Sequence, residues 1–231
     1  MQLIIKNIHL IILGIKKFIR IQKLIAKGID FTSPMTVEIF GNLIVHKNVR
    51  IEKNVTFKGE VILEDNVVIE GNCNITDSII RKGSRIRDSS ILNGCEIGSN
   101  CRIGPFARVR PKSFIKDNSQ IGNFVEIKNS IISSNTKINH LTYIGDSEIG
   151  KNVIIGAGCV TCNYDGLKTQ KTIIENNAFI GSGVFLIAPV KIGESATIGS
   201  GSVITQDAPS NKLTVARNRQ VTSDHWKRPK K

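Results

Sequence analysis

The chain has 231 residues, so it holds one or two domains, and its nine Phe, two Tyr and one Trp are too few to fill the core of an ordinary domain of this size. Its net charge of +13 comes from scattered basic residues without blocks or interleaved aromatics, which argues against a nucleic-acid partner. The five cysteines form no secreted disulfide framework, and no signal peptide or apolar run of about 18–20 residues is present, which predicts a reduced, cytoplasmic protein without a transmembrane segment.

The first element predicted along the chain is a helix over residues 14–27, ended by Gly28. Apolar residues recur at helical spacing on one face, namely Ile15, Phe18, Ile19, Ile21 and Ile25, although Gln22 lies within this stripe. The other face is basic apart from Leu24. Such a helix can lie on a membrane surface or pack on a partner subunit or another domain, and we expect packing. Residues 1–36 are therefore predicted to form an N-terminal, linker-like helix region.

An aliphatic residue then recurs at about every sixth position from Ile39 to Ile204. Four steps are of five residues, and they end at Ile80, Ile91, Ile132 and Ile149. Neither a helix nor a two-faced sheet has a period of six, whereas a coil of three flat strands with six residues a side does. The period therefore predicts an all-β fold, a parallel β-helix of hexapeptide repeats with about nine coils over residues 37–206. Residues 207–231 are predicted to form an irregular, basic C-terminal tail.

In such a β-helix, each inward aliphatic residue stacks on its counterpart about 18 residues away. Each buried Ile contributes about 1.5–3 kcal/mol, which explains how few aromatic residues suffice. Small residues, Gly and Asn are expected at the corners, where a positive φ is often required.

The largest interruption of the repeat lies between Ile155 and Ile174, where we predict an inserted loop over residues 161–172 that covers a site. Cys159 and Cys162 form a CxxC pair inside this interruption. A zinc site would need a second pair and a redox motif would need a βαβ context, so we interpret both cysteines as packing residues.

Basic residues one coil apart predict an anion site. Arg108 and Arg110 point the same way under strand alternation, and Glu126 and Lys128 follow them by 18 residues. The β-helix should therefore stack Arg110 on Lys128 and Arg108 on Glu126. We interpret the first pair as a two-cation site for a phosphate, with a solvated charged face as the alternative.

His140, in "KINHLTYIGD", is the candidate general base. Tyr143 precedes Ile144 as Glu126 precedes Ile127, so Tyr143 extends the same column by one coil. His140 comes three residues earlier, near the corner that leads into that strand. An imidazole with an ordinary pKa of about 6.5 is suited to accept a proton at neutral pH. A packing or surface role is the alternative, and the nearby phosphate-binding pair favours the base.

Six segments occur in an order typical of one family: "IGPFARVRP", "IGNFVEIKNS", "NHLTYIGDSEIG", "IGAGCVTCNYDG", "KTIIENNAFIGS" and "LIAPVKIGESATIGSGSVIT". Together they resemble the C-terminal acetyltransferase domain of the bacterial bifunctional N-acetylglucosamine-1-phosphate uridyltransferase / glucosamine-1-phosphate N-acetyltransferase. The resemblance runs from about Ile15 to "WKRP" at Trp226–Pro229 and is dense from Ile103 to Thr205. It implies a left-handed coil and a homotrimer with active sites between subunits.

The resemblance implies acetyl transfer from acetyl-CoA to the 2-amino group of glucosamine 1-phosphate, in the supply of UDP-N-acetylglucosamine for peptidoglycan and lipid A. It makes His140 the proton acceptor. The implied substrate contacts are Arg110, Lys128, Tyr143, Ile154, Asn163, Tyr164 and Glu126. The implied acetyl-CoA contacts are Ala157, Ser182, Ser200 and Arg217. A backbone N–H near Gly156–Gly158 is a candidate donor to the tetrahedral oxyanion.

Three features depart from the family pattern. The uridyltransferase half is absent from this sequence, so we expect no uridylyl transfer, no Mg²⁺ requirement and no other cofactor, and a separate uridyltransferase subunit would then have to supply that step. Ile154 stands where the family usually has Asn, and one lost hydrogen bond is worth about 1 kcal/mol. Ser200 stands where the family has a small apolar residue, which should be a mild change.

Three rival functions follow from the same sequence. Another hexapeptide acyltransferase, acting on a different amino sugar, is favoured by Ile154. A γ-type carbonic anhydrase needs three zinc histidines, and the four histidines are too scattered for that, namely His9, His46, His140 and His225. A non-catalytic trimeric scaffold belongs to a different class, and the intact "NHLTY" argues against it.

Overall fold

The computed structural model describes residues 2–220 and residue 222, with side chains from residue 12 onward except that of residue 13. The resemblance at Trp226–Pro229 and the side chains of His9 and His225 lie outside the described part. Apart from one helix and one short 3₁₀ turn (Pro34–Thr36), the regular elements are strands. Every pairing between strands is parallel, and the chain winds through about 10 turns of a β-solenoid.

The solenoid has three faces. Face A consists of Asp30–Phe31, Arg50–Ile51, Val68–Ile69, Arg85–Ile86, Arg102–Ile103, Gln120–Asn123, Lys137–His140, Ile154–Ile155, Phe179–Ile180, Thr197–Ile198 and Leu213–Thr214. Face B contains Ile91–Asn93, Arg108–Val109, Glu126–Lys128, Tyr143–Gly145, Val160–Cys162, Phe185–Ile187 and Val203–Ile204. Face C contains Cys95–Ile97, Ser113–Ile115, Ile131–Ile132, Ser147–Ile149, Thr172–Ile174 and Val190–Ile192. Three longer strands run through faces B and C without a break, namely Glu38–Val45, Thr56–Leu63 and Asn74–Ile80.

The core is the stack of inward aliphatic side chains that the period of six predicts. From Ile51 to Ile204 these side chains are buried, with the exception of Ile91, whereas Ile39 and Val45 in the first turn are only partly buried. The hexapeptide parallel β-helix is thereby confirmed, with about 10 turns instead of nine. The left hand of the coil remains a prediction from the resemblance.

One predicted core residue is wrong. Ile91 is 47% exposed, and its neighbour Leu92 is fully buried. The register pairs Leu92 with the inward Val109, so strand alternation turns Ile91 outward. The five-residue step therefore falls between Leu92 and Ile97, and not before Ile91.

The N-terminal helix runs from Gln2 to Ala26, so it begins earlier than residue 14. Gly28 terminates the helix as predicted. It has a φ of +83°, its N–H donates to the carbonyl of Ile25, and the N–H of Ile29 donates to the carbonyl of Leu24. This is a Schellman C-cap, in which a left-handed glycine satisfies the last carbonyls. Among the described residues, no helix is long and apolar enough to cross a membrane.

The helix packs through only one residue of the predicted apolar stripe, Ile21. Ile21 and Leu24 are buried, whereas Ile15, Phe18 and Ile19 are about half exposed. Lys17 donates to the Glu38 carboxylate at 2.5 Å, which ties the helix to the first long strand. Among the described side chains, the buried side is set by Ile21 together with Leu24, which the sequence pattern places among the lysines.

The predicted tail contributes one more strand. Leu213–Thr214 pairs with Thr197–Ile198 and extends face A beyond the last aliphatic residue of the repeat. Leu213 itself is exposed, so this strand lengthens the sheet without extending the core. The division into residues 1–36, 37–206 and 207–231 remains a prediction.

Candidate active site

A column of charged and aromatic side chains follows the outer surface of face B. Arg108 pairs in register with Glu126, and Glu126 pairs with Tyr143 in the next turn. Arg110 and Lys128 occupy equivalent positions in successive turns, one residue beyond the inward residue of each strand. The 18-residue spacing therefore stacks these residues as the sequence indicated.

Each cation of the predicted phosphate site has a carboxylate partner. Arg110 Nη1 lies 2.9 Å from Glu126 Oε1, and Arg108 Nη1 lies 4.0 Å from the same oxygen. Lys128 Nζ lies 3.3 Å from Asp146 Oδ2. Because the groups are partly exposed, such pairs are weak and exchangeable, and an incoming dianion can compete with the carboxylates for both cations.

Asp146, which the sequence analysis did not identify, accepts hydrogen bonds from three side chains at this site. Its side chain is 11% exposed, and its carboxylate accepts from Lys128, from Asn129 Nδ2 at 2.5 Å, and from Asn163 Nδ2. Burial alone would raise the pKa of Asp146, but the hydrogen bonds from Asn129, Asn163 and Lys128 outweigh it, so the pKa lies below the usual aspartate value. Asp146 is therefore a charged acceptor at neutral pH.

The inserted loop comprises residues 163–171, which is shorter than the predicted 161–172 because strands continue to Cys162 and resume at Thr172. Within the loop, Asp165 caps the turn by accepting from the N–H groups of Leu167 and Lys168, both at 2.9 Å. Tyr164 and Thr169 form an antiparallel bridge across it. The loop is thus a small closed hairpin, and its tip residue Leu167 is 93% exposed.

The loop encloses a cleft of about 560 Å³ against face C, which we call the loop cleft. Its lining includes Lys112 and Phe114 on the solenoid, Gln170 and Lys171 on the loop, and Asp146 where the two meet. Asn163 is only 7% exposed at the base of the loop, whereas Tyr164 is exposed. The predicted substrate contacts Lys128 and Asn163 are therefore joined through Asp146, and Tyr164 stands apart on the loop surface.

His140 lies at the corner between face A and face B. Its Nδ1 is 2.9 Å from Asn123 Oδ1, one turn earlier in the same corner column. In the neutral imidazole, an amide-oxygen acceptor at this distance selects the Nδ1–H tautomer, which leaves the lone pair on Nε2. A notch of about 320 Å³ opens beside it, lined by residues that include Arg87, Gly104 and Gly122. His140 is exposed there, so its Nε2 is accessible to a ligand.

Small residues continue the His140 corner in the following turns. The sequence places a Gly-small-Gly tripeptide at this corner three times, namely at residues 156–158, 181–183 and 199–201. Backbone bonds link the turns, since Gly158 N donates to His140 O, Gly183 N to Ala157 O, and Gly201 N to Ser182 O.

At the far end of this corner, Arg217 Nη1 donates to Ser200 O at 2.7 Å. The four predicted acetyl-CoA contacts therefore lie along one corner column that begins at His140, which we call the small-residue corner.

His140 and Lys128 stand at opposite edges of face B. His140 precedes the face B strand Tyr143–Gly145, and Lys128 ends the strand Glu126–Lys128 that pairs with it. The width of such a face is on the order of 10–15 Å. The predicted closeness of His140 to the Arg110–Lys128 pair is therefore not found within one copy of the described chain, although both lie within neighbouring turns.

Ile154 is separate from both groups. It points outward from face A between Lys137 and Phe179, with its side chain exposed. Because it is two residues before Gly156, it lies beside the small-residue corner and not beside Lys128.

The cysteines are consistent with packing roles. Cys73, Cys95, Cys101 and Cys159 are buried and Cys162 is partly buried, all five without disulfides. Burial raises the pKa of Cys73 to about 12 and those of Cys95 and Cys101 to about 11, so these thiols stay protonated. Among the described side chains, no three His, Cys, Asp or Glu residues are placed to hold a metal ion.

Two residues of this site were not identified from the sequence. Asp146 follows Gly145 at the tight corner between faces B and C, where the repeat shortens from six residues to five. That shortening was the available signal, because it marks a corner tighter than the others, which Asp146 turns in the left-handed region at φ +49°. The sequence signal for Asn123, in "IGNF", was its position 17 residues before His140, which is one turn of the solenoid.

Comparison with known proteins supports the fold and the resemblance. The family model "GMPPB C-terminal domain" matches residues 39–114, and "Bacterial transferase hexapeptide (six repeats)" matches residues 171–206. The UDP-N-acetylglucosamine acyltransferase of Francisella novicida superposes with a TM-score of 0.55 at 15% identity, covering 80% of this chain and 66% of that one. At this identity the similarity establishes the fold alone.

Sequence relatives are closer. The bifunctional protein GlmU of Herminiimonas arsenicoxydans is 57% identical over 108 residues, which is 47% of this chain and 24% of that protein. The GlmU protein of Chromobacterium violaceum is 58% identical over the same length. The match thus spans about a quarter of the length of these relatives. The resemblance predicted from the sequence is confirmed, and the chain is a hexapeptide-repeat β-helix similar to the C-terminal region of the bifunctional GlmU proteins.

Proposed function

We propose that this chain transfers an acetyl group from acetyl-CoA to the 2-amino group of glucosamine 1-phosphate, without a metal ion. The observation that carries the proposal is the His140–Asn123 hydrogen bond, which leaves Nε2 free at the start of the small-residue corner. N-acetyl transfer requires a base of this kind, and the small side chains along the corner leave room beside it for a thioester arm. The relatives named bifunctional GlmU and the acyltransferase fold support the same class of reaction.

His140 accepts the proton that the amine loses as it attacks. The amine nitrogen bonds to the thioester carbonyl carbon, the C–S bond breaks, and the leaving thiolate takes a proton from the His140 imidazolium. Asn123 fixes the tautomer and the ring orientation, because its amide oxygen holds the Nδ1 proton. No covalent enzyme intermediate is needed, and the high pKa values of the buried thiols make them poor nucleophiles.

The oxyanion is assigned to one backbone donor at the start of the small-residue corner. Gly156 N donates to Ile180 O at 2.8 Å, and Gly158 N donates to His140 O at 3.3 Å. Within the described part of the chain, this leaves the N–H of Ala157 as the unpaired donor of the tripeptide. A fixed backbone donor costs no reorganisation as negative charge develops on the carbonyl oxygen.

The acceptor's phosphate is assigned to Arg110 and Lys128, with Glu126, Tyr143, Asn163 and Tyr164 around the sugar. Guanidinium and ammonium groups one turn apart suit a dianion, which would replace the carboxylates that now pair with them. This assignment separates the phosphate site from the base by the width of face B.

That separation supports a homotrimer as the active form. Within one copy the base and the phosphate site lie at opposite edges of face B, so packing face B of one copy against the His140 corner of another would complete the site. Three copies related by a threefold axis between them would form three such sites. Sedimentation at several concentrations checks this, and an active monomer would contradict it.

An acceptor panel tests the proposed function. Release of free CoA thiol is followed with glucosamine 1-phosphate, glucosamine, glucosamine 6-phosphate and amino-sugar nucleotides at equal concentrations. The proposal expects the highest kcat/KM for glucosamine 1-phosphate and no acceleration by added Mg²⁺. A higher value for another acceptor would contradict the assigned substrate and leave the acetyl-transfer chemistry in place.

Ile154 favours one alternative, an amino sugar of different shape. Its exposed side chain lies beside the start of the small-residue corner, where a hydrogen-bonding Asn is expected from the resemblance. The variant Ile154→Asn discriminates the two acceptors. It should improve kcat/KM for glucosamine 1-phosphate by several-fold, and an unchanged or reduced value would favour the different acceptor.

A further inference from the structure

We infer that Asp146 is a positioning residue that holds Lys128 and the inserted loop in the arrangement that binds the acceptor. The inference rests on the proposed function and adds a residue that the sequence reasoning did not assign. It follows from one carboxylate that contacts three side chains of the site, and from the backbone of the same residue, which contacts both neighbouring turns.

The carboxylate joins the two sides of the site. Oδ2 accepts from Lys128 Nζ at 3.3 Å and also from Asn163 Nδ2, the first residue of the loop. Oδ1 accepts from Asn129 Nδ2 at 2.5 Å. A carboxylate has lone pairs for all three donors, whereas an amide or hydroxyl in its place has not.

The backbone of Asp146 holds the other end of the loop. Its N–H donates to Lys128 O at 3.0 Å, and its carbonyl accepts from the N–H of Thr172 at 3.3 Å. Thr172 is the first residue after the loop. Asp146 therefore contacts the loop at its beginning through the carboxylate and at its end through the carbonyl.

The interior of the loop is independent of Asp146. Asp165 makes the internal turn with Leu167, Lys168 and Gln170. The exposed Lys171–Glu148 pair is a separate and weak contact between the loop and face C. The internal hairpin should therefore survive the loss of the Asp146 carboxylate, while its placement over the loop cleft should not. This separates a positioning role from a general role in folding.

Asp146→Asn is the primary test, because it keeps the volume of the side chain and removes one acceptor. The amide nitrogen must then replace one carboxylate oxygen, so it faces either Asn129 or the pair Lys128 and Asn163, and all three are donors. We expect KM for glucosamine 1-phosphate to rise at least tenfold, with KM for acetyl-CoA changed less than twofold. Amide hydrogen exchange in residues 163–171 should accelerate about tenfold, with the solenoid strands unchanged.

Asp117→Asn is the matched control. Asp117 also accepts a backbone N–H across turns, from Ser99 at 2.7 Å, but it contacts neither a cation of the site nor the loop. This variant should leave both KM values and the loop exchange unchanged. Equal effects of the two Asp→Asn variants would overturn the inference.

A double-mutant cycle shows whether Asp146 acts through Lys128. In the Lys128→Met background, Asp146→Asn should raise KM for the acceptor less than twofold further. A full additional tenfold increase would overturn action through Lys128. A decrease in KM in the single Asp146→Asn variant would also overturn the inference, because it would make Asp146 a competing charge and not a positioning residue.

A second variant keeps the inference testable if Asp146→Asn fails to fold. Asn163→Ala removes only the loop side of the contact and should give the same acceleration of loop exchange, whereas unchanged exchange would refute the anchor. The exchange readout does not depend on turnover. If the wild type fails to acetylate glucosamine 1-phosphate, the proposed function fails, and the loop exchange still decides the role of Asp146.

Discussion

Leu92 and Ile91 provide a direct test of how the repeat is registered. Leu92 is fully buried in the face B stack, and Ile91 next to it is 47% exposed. Truncating a buried leucine removes its transfer free energy and leaves a cavity, which together cost about 2–5 kcal/mol. Truncating Ile91 removes an outward side chain that is only about half buried, for a cost of about 1 kcal/mol or less.

The two alanine variants are compared by urea unfolding at one protein concentration, because an oligomer's stability depends on concentration. Leu92→Ala should lower the free energy of unfolding by at least about 1 kcal/mol more than Ile91→Ala, with the same dependence on urea concentration. Equal losses, or a larger loss for Ile91→Ala, would refute the register and restore the simple five-residue step at Ile91.

Three further predictions concern the site. Asn123→Ala should lower kcat about tenfold with little change in either KM, because the Nδ1 proton of His140 loses its acceptor and the tautomer is no longer fixed; initial rates measure this, and an unchanged kcat would contradict it. Lys128→Met should raise KM for the phosphorylated acceptor by roughly 10- to 100-fold, since a hydrogen bond to a charged group contributes about 1.5–3 kcal/mol, whereas an equal rise in KM for acetyl-CoA would argue against the assignment. Brief iodoacetamide treatment of the native protein should label Cys162 first, because it is the one cysteine that is partly exposed; mass spectrometry would contradict this if the other four cysteines reacted equally fast.

The architecture was predictable because each turn repeats one physical requirement, an aliphatic side chain facing inward. That requirement recurs often enough to survive single errors, so misplacing Ile91 changed one register step and not the fold. The error arose because residues 91 and 92 are both aliphatic, and only the pairing of Leu92 with Val109 decides between them. The packing side of the helix was not predictable in this way, because it depends on where the last turns meet the solenoid.

The stacking of site residues in successive turns was predictable from the sequence, and the side-chain contacts that join them were not. The 18-residue spacing was enough to stack Arg110 on Lys128. Asp146 escaped notice because its role depends on a corner and on a loop that leaves the repeat and returns to it. The distance across face B likewise follows from the order of the faces, which residue spacing alone does not reveal.

The central claim is that His140 is the general base, and its direct test is CoA release by His140→Ala with glucosamine 1-phosphate as acceptor. Loss of a general base costs roughly 10²–10⁴-fold in rate, so we predict at least a hundredfold drop in kcat with an unchanged oligomeric state. His46→Ala, which alters an exposed histidine near Asp65, is the matched control and should retain full activity. A His140→Ala enzyme with turnover close to that of the wild type would contradict the account.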